Sequence, residues 1–191
     1  MYKLLACIYP TYLYAFEVKY HMKHHVIKKQ NNSEMCFVCG ISNDAGLHTK
    51  FYELDSKRLI GVFQGFDQHQ SYPNRMHGGI ITALLDETIG RAIQIEEPNL
   101  FGVTVDLNIR FLKPVPLDET LYAVGYITSN KRILFEGEGY LTNDKQEVLA
   151  TCKGKYMKQD VHKIVHSDDF LEEKWIYVDD DESPISFELP L

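Results

Sequence analysis

The stretch from residue 78 to about residue 95 constrains the fold more than any other part of this chain. Ile80, Ile81, Ala83, Leu84, Leu85, Ile89, Ala92 and Ile93 recur at helical spacing and cover more than half of the circumference. A helix so widely apolar must be buried on most sides, so something has to wrap it. Glu96-Glu97-Pro98-Asn99 ends it. Four strand-like runs follow, at residues 103–112, 119–128, 132–142 and 147–158, with turn signals between them. Upstream, residues 47–54 and 59–66 read as two more strands joined by an Asp55-Ser56-Lys57 turn. The expectation is an α+β domain in which an antiparallel sheet of five to six strands wraps one long central helix.

In the run 103–112, Val103, Val105, Leu107, Ile109 and Phe111 alternate with Thr104, Asp106, Asn108 and Arg110. One face is expected to pack, and the other to be wet or to meet a partner.

The flanks differ from this middle. Residues 1–34 read as an N-terminal extension, 35–158 as the domain and 159–191 as an acidic C-terminal extension. The apolar run 4–16 is too short to span a bilayer as a helix, and Pro10 interrupts it. No small-residue cleavage site follows it, so the expectation is a chain starting natively at Met22. Residues 23–34 are polar and basic, as in a flexible lead-in. The last segment holds Asp168-Asp169, Glu172-Glu173 and Asp179-Asp180-Asp181-Glu182, which predicts partial disorder with one short helix at about 170–175. The formal net charge of −7 argues against nucleic-acid binding, which needs a basic surface. Four cysteines at irregular spacing form no disulfide framework, so a reducing cytoplasm is the simpler compartment.

Two features point to chemistry. His77-Gly78-Gly79 opens the helix, where free N–H groups and the positive dipole end can hold an anion or an oxygen gaining charge. The alternative is a turn in which glycine relieves strain. Asp86 sits inside the apolar helix with Thr82, Ala83, Ile89 and Gly90 at helical neighbour positions, none of them basic. Such a carboxylate has a raised pKa unless it receives hydrogen bonds, and buried unpaired carboxylates are often functional. Glu87 instead has Arg91 four residues on, the spacing of a surface ion pair.

Taken together, Asn74-x-x-His77-Gly78-Gly79-Ile80-Ile81-Thr82-Ala83-Leu84-Leu85-Asp86-Glu87-x-x-Gly90 resembles the signature helix of hotdog-fold thioesterases of the PaaI-like acyl-CoA type. The run from Val103 to Pro116, ending Pro114-Val115-Pro116, resembles the following strand of that family, and Cys36-Phe37-Val38-Cys39-Gly40 its opening. The resemblance covers residues 36–158 in one order. It implies hydrolysis of an acyl-CoA thioester at a site shared by two subunits of a homodimer or homotetramer, without a cofactor. In that reading Asp86 activates water or attacks the carbonyl, and Gly78 or Gly79 holds the thioester oxygen. Thr104 positions the water, while His77 and Asn74 orient the thioester. Glu87 stays a second acidic candidate, because related families place a Glu elsewhere on this helix.

Each of these residues also has a plainer reading: Thr104 as an ordinary β-branched strand residue, His77 as a helix cap or core histidine. Lys113, Lys131, Arg132, Lys153 and Lys155 are candidates for the CoA phosphates, or solvated surface charge. The Cys36-x-x-Cys39 pair lacks a second such pair; His48 could be a third ligand and no fourth is evident, so a packed turn rather than a metal is expected. Two rival functions remain, a non-catalytic acyl-CoA or lipid-binding module and a dehydratase or hydratase. The last usually pairs its acid with a histidine near the helix, where His77 is the one candidate.

Overall fold

The computed structural model describes residues 21–164, 174–179 and 183–190. The strands are β1 His21–Lys29, β2 Asn32–Ser33, β3 Lys50–Leu54, β4 Leu59–Gln64, β5 Gln70–Tyr72, β6 Arg75–Met76, β7 Leu100–Phe111, β8 Thr120–Asn130, β9 Leu134–Asn143, β10 Val148–Asp160, β11 Trp175–Ile176 and β12 Ser186–Pro190. The helix α1 runs Gly78–Arg91 and tightens into a 3-10 turn over Ala92–Ile95; α2 is the short Val161–Ile164. The main sheet has eight antiparallel strands in the order β12-β1-β3-β4-β8-β9-β10-β7 and curls around α1, the hotdog arrangement that the resemblance implies. Among the described residues no helix is long and apolar enough to cross a membrane.

The six expected strands are present, and two more extend the sheet. Residues 21–29 are not a flexible lead-in. They form β1, paired with β3 on one side and with β12 on the other. Their alternating polar pattern suits a strand with one solvated face. Tyr52, Leu54, Ile60 and Val124 form a second apolar cluster with Leu189 of β12 on the face of the sheet away from α1. Charge runs hid this from a reading by composition, because β12 itself is the apolar end of an acidic segment. The helix expected at 170–175 lies outside the described residues except for its end, where Trp175 begins a strand paired with β2.

Leu84, Leu85, Ile89 and Ile93 of the helical segment are fully buried against Leu59, Leu121, Phe135 and Tyr156 of the sheet. Close approach of the helix backbone to the sheet requires glycine at position 125. A Cβ on Gly125 of β8 would lie 2.9 Å from the Thr88 carbonyl oxygen and 3.1 Å from Ile89 Cα, which are helix backbone and cannot swing aside. Strand propensity alone would favour alanine there by well under about 1 kcal/mol, whereas overpacking costs about 1–3 kcal/mol. Gly125→Ala is therefore expected to lower the unfolding free energy by about 1–3 kcal/mol, read as a lower urea midpoint. An unchanged or raised midpoint would show that the helix does not press on the sheet here.

Candidate active site

At its start, α1 is capped by His77, whose extended backbone (φ −68°, ψ 135°) precedes the first turn and whose Nδ1 accepts from the Gly79 N–H at 2.9 Å. The helix-capping alternative thus describes His77, an exposed side chain whose Nδ1 serves as the cap acceptor. The cap occupies Gly79, so of the two glycine N–H groups only that of Gly78 is left for a ligand. Gly78 and Phe111 border an open cleft of about 540 Å³, which Ile81, Tyr72 and Pro114 help to line.

Two turns further on, Asp86 is half-buried. It is not without a partner, as its helical neighbours suggested: Thr104 Oγ1 of β7 donates to Asp86 Oδ1 at 2.9 Å. Strict alternation along β7 puts Thr104 on the face away from the helix, and the structure corrects this. Asp106 pairs with Lys155 but Thr104 pairs with Tyr156, so Val105 is an extra residue, a β-bulge. The bulge reverses the faces of the strand's first half. Thr104 joins buried Tyr156 on the helix side, while Val103 and Val105 become exposed, Val105 by 57%. Tyr156, which sequence reasoning missed, stacks on Phe135 and donates from its hydroxyl to the Asp86 backbone carbonyl at 3.1 Å. Its signal was the inward alternation Ala150, Cys152, Gly154, Tyr156 along β10. Burial pushes the Asp86 carboxyl above its ordinary range, and the hydroxyls of Thr104 and Tyr156 pull the other way. Burial and the nearby Asp86 charge push the Cys152 thiol up to about 12. Asp86, Thr104 and Tyr156 share a cavity of about 310 Å³ that Phe101 and Trp175 also line.

The Glu87–Arg91 ion pair forms at 3.2 Å, but it is not the solvated surface pair that its spacing suggests. Arg91 is 5% exposed, with its guanidinium 4.5 Å from the ring centres of both Phe51 and Trp175. The other Glu87 oxygen accepts from Cys36 Sγ at 2.9 Å, beside Cys39. Cys36 is the thiol held lower, because Cys39 hydrogen-bonds to its sulfur, and Cys39 is held higher by that same bond and by burial. His48 is turned elsewhere, with Nδ1 2.7 Å from the Gly40 carbonyl oxygen.

The remaining candidates stay apart from Asp86. Asn74 has φ +58° in the Pro73-Asn74 turn between β5 and β6, a conformation that asparagine tolerates. Lys113, Lys153 and Lys155 pair with Glu147, Glu138 and Glu136 at 2.8, 2.6 and 3.2 Å. Lys131 and Arg132 are exposed in the β8–β9 turn, at the opposite end of the sheet from Lys113 and the helix start.

Residues 74–150 match the family model of the thioesterase superfamily. Mouse acyl-coenzyme A thioesterase THEM4 is 36% identical over 70 residues, 37% of this chain and 29% of that relative, so the chain spans under a third of its length. Among solved structures, Escherichia coli PaaI, from the phenylacetic acid degradation operon, superposes with a TM-score of 0.54 at 20% identity, over 59% of this chain and 80% of that one. A Streptococcus pneumoniae hypothetical thioesterase solved with coenzyme A does so with a TM-score of 0.50 at 20% identity, over 54% and 82%. At such identities the structural likeness speaks for the fold.

Proposed function

We propose that the chain is a member of the thioesterase superfamily, whose family model matches residues 74–150, and that it hydrolyses an acyl-CoA thioester to the free carboxylic acid and CoA, as a PaaI-like enzyme of the cytoplasm. The observation that carries this is the Asp86 carboxylate, held by Thr104 at 2.9 Å in the wall of a cavity. Asp86 takes a proton from a water that Thr104 orients, and the water oxygen attacks the thioester carbonyl carbon. The carbonyl oxygen gains charge and is met by the Gly78 N–H. The intermediate collapses with cleavage of the C–S bond, and the CoA sulfur leaves with the proton from Asp86. His77 fixes the helix start and Asn74 shapes the loop before it. Lys113, beside the helix start of one copy, and Arg132, at the Asp86 end of the other, are the substrate-binding cations of this reading, with Glu87 as a second acid near the cavity. The chemistry needs no cofactor, CoA being part of the substrate.

Helix geometry supports a site built from two copies. Eight residues separate Gly78 from Asp86, roughly 12 Å along the axis, whereas an oxyanion donor and a base must both reach one carbonyl group. β7 is an edge strand of 12 residues with exposed Val105 and Phe111. A two-fold axis at that edge would run two helices antiparallel, with the start of one beside Asp86 of the other. The occupied edge would also remove a site of aggregation.

The test is a panel of acyl-CoAs with a thiol-trapping reagent, alongside the mass of the native particle. Expected are CoA release from at least one substrate and an even number of copies. A folded oligomer that releases no CoA above background from any of them overturns the reading, and favours a binding module.

A further inference from the structure

We propose that Cys36, Cys39 and Glu87 form a three-ligand site for a soft divalent cation, zinc above all, whose fourth position opens into the cavity beside Asp86. This stands independently of thioester hydrolysis. The Sγ atoms of both cysteines and a carboxylate oxygen of Glu87 all lie within 4.8 Å of one another. Ligands at zinc–sulfur and zinc–oxygen distances in a tetrahedron lie roughly 3.4–3.8 Å apart, so the ion fits among them with small side-chain shifts. The three come from two places in the sequence, a turn and a helix, which the fold has already brought together.

Charge supports the same assignment. Two thiolates and a carboxylate carry three negative charges. Arg91, 3.2 Å from Glu87 and 3.6 Å from Cys39 Sγ, returns one positive charge. The remainder is two negative charges, which a divalent cation neutralises in a place where uncompensated charge is costly.

The backbone points the same way. The Val38 N–H donates to Cys36 Sγ at 3.3 Å and the Ser33 N–H to Cys39 Sγ at 3.4 Å. Such donors fix the orientation of sulfur ligands. Sulfur donors select zinc over magnesium or calcium. Cys39 is 1% exposed, but all three ligands border the cavity, so water or a small thiol can complete the shell. A bound ion would staple the turn at residues 36–40 to α1 at the residue after Asp86, fixing the rotation of the helix there.

The experiment uses the full chain, reduced and treated with a chelator, titrated with cobalt(II), cadmium(II) and zinc(II) salts alone. Expected is one ion per chain, with sulfur-to-metal charge-transfer absorption for cobalt and cadmium and a raised melting temperature with zinc. Cys39→Ser should abolish the band. Glu87→Gln should weaken binding by at least roughly 10- to 100-fold, and His48→Ala should change nothing. No band in the reduced wild type overturns the proposal whatever the variants do. A band that persists in Cys39→Ser overturns it as well, because the ion is then held elsewhere.

Discussion

Asp86→Asn is expected to lower kcat by roughly 100- to 10,000-fold, the usual contribution of a positioned general base, while the protein melts at the same temperature or higher. The two outcomes have one cause. Burial raises the Asp86 pKa above its ordinary 3.8, which means that the folded state penalises the charged form. Between 3.8 and the raised value, the folded chain binds more protons than the unfolded chain, so stability falls as pH rises through that window. Below it both states are protonated and Asp86 costs nothing. An amide has no charge to penalise and can still accept from Thr104, so the variant should lack this decline. Activity runs the opposite way in the wild type. The base works only when ionised, so the acid limb of kcat/KM should lie above the ordinary carboxylate range. The checks are steady-state kinetics and melting curves across pH. A variant that keeps wild-type turnover removes Asp86 from the chemistry. One that loses turnover and also loses stability makes it a structural residue instead.

Much of this fold was legible because burial leaves periodic traces. The width of the apolar stripe on α1 required a wrapping sheet, and the strand runs with their turns supplied it. What stayed hidden depends on distant partners. Resemblance singles out Thr104, but strict alternation turns it away from the helix, because a bulge at Val105 has no local signature. Spacing alone pairs Glu87 with Arg91 but places them in solvent, whereas Arg91 is buried. The rings of Phe51 and Trp175, far away in sequence, bury Arg91. The same distance explains the third partner of the cysteine pair. His48 was the near choice in sequence, yet it is Glu87, 51 residues from Cys36, that meets the thiols. The outer strands β1 and β12 were missed because polar and acidic composition masks a short strand that buries one side only.

The rise of α1 leads to the second large effect. Gly78 is the first helical residue, and His77 before it is extended, which is the conformation that a following proline requires. Proline at this position keeps a helix intact and removes one N–H. Gly78→Pro is therefore expected to fold and to lose roughly 100- to 1,000-fold in kcat, the usual cost of a deleted oxyanion donor. Phe111, 3.3 Å from the added Cβ, is half-exposed and free to move. Mixing separates a shared site from a local one. Chains carrying Asp86→Asn retain Gly78, and chains carrying Gly78→Pro retain Asp86. If each centre joins the helix start of one copy to Asp86 of the other, every mixed dimer holds one intact centre and one doubly damaged centre. Random reassortment after unfolding and refolding together should then restore about one quarter of wild-type activity, far above either variant alone. A mixture no more active than the sum of its parts would place the whole reaction within one chain. In that case a helix separating Gly78 from Asp86 by roughly 12 Å could not use both on one substrate, and the Gly78 donor would drop out of the mechanism.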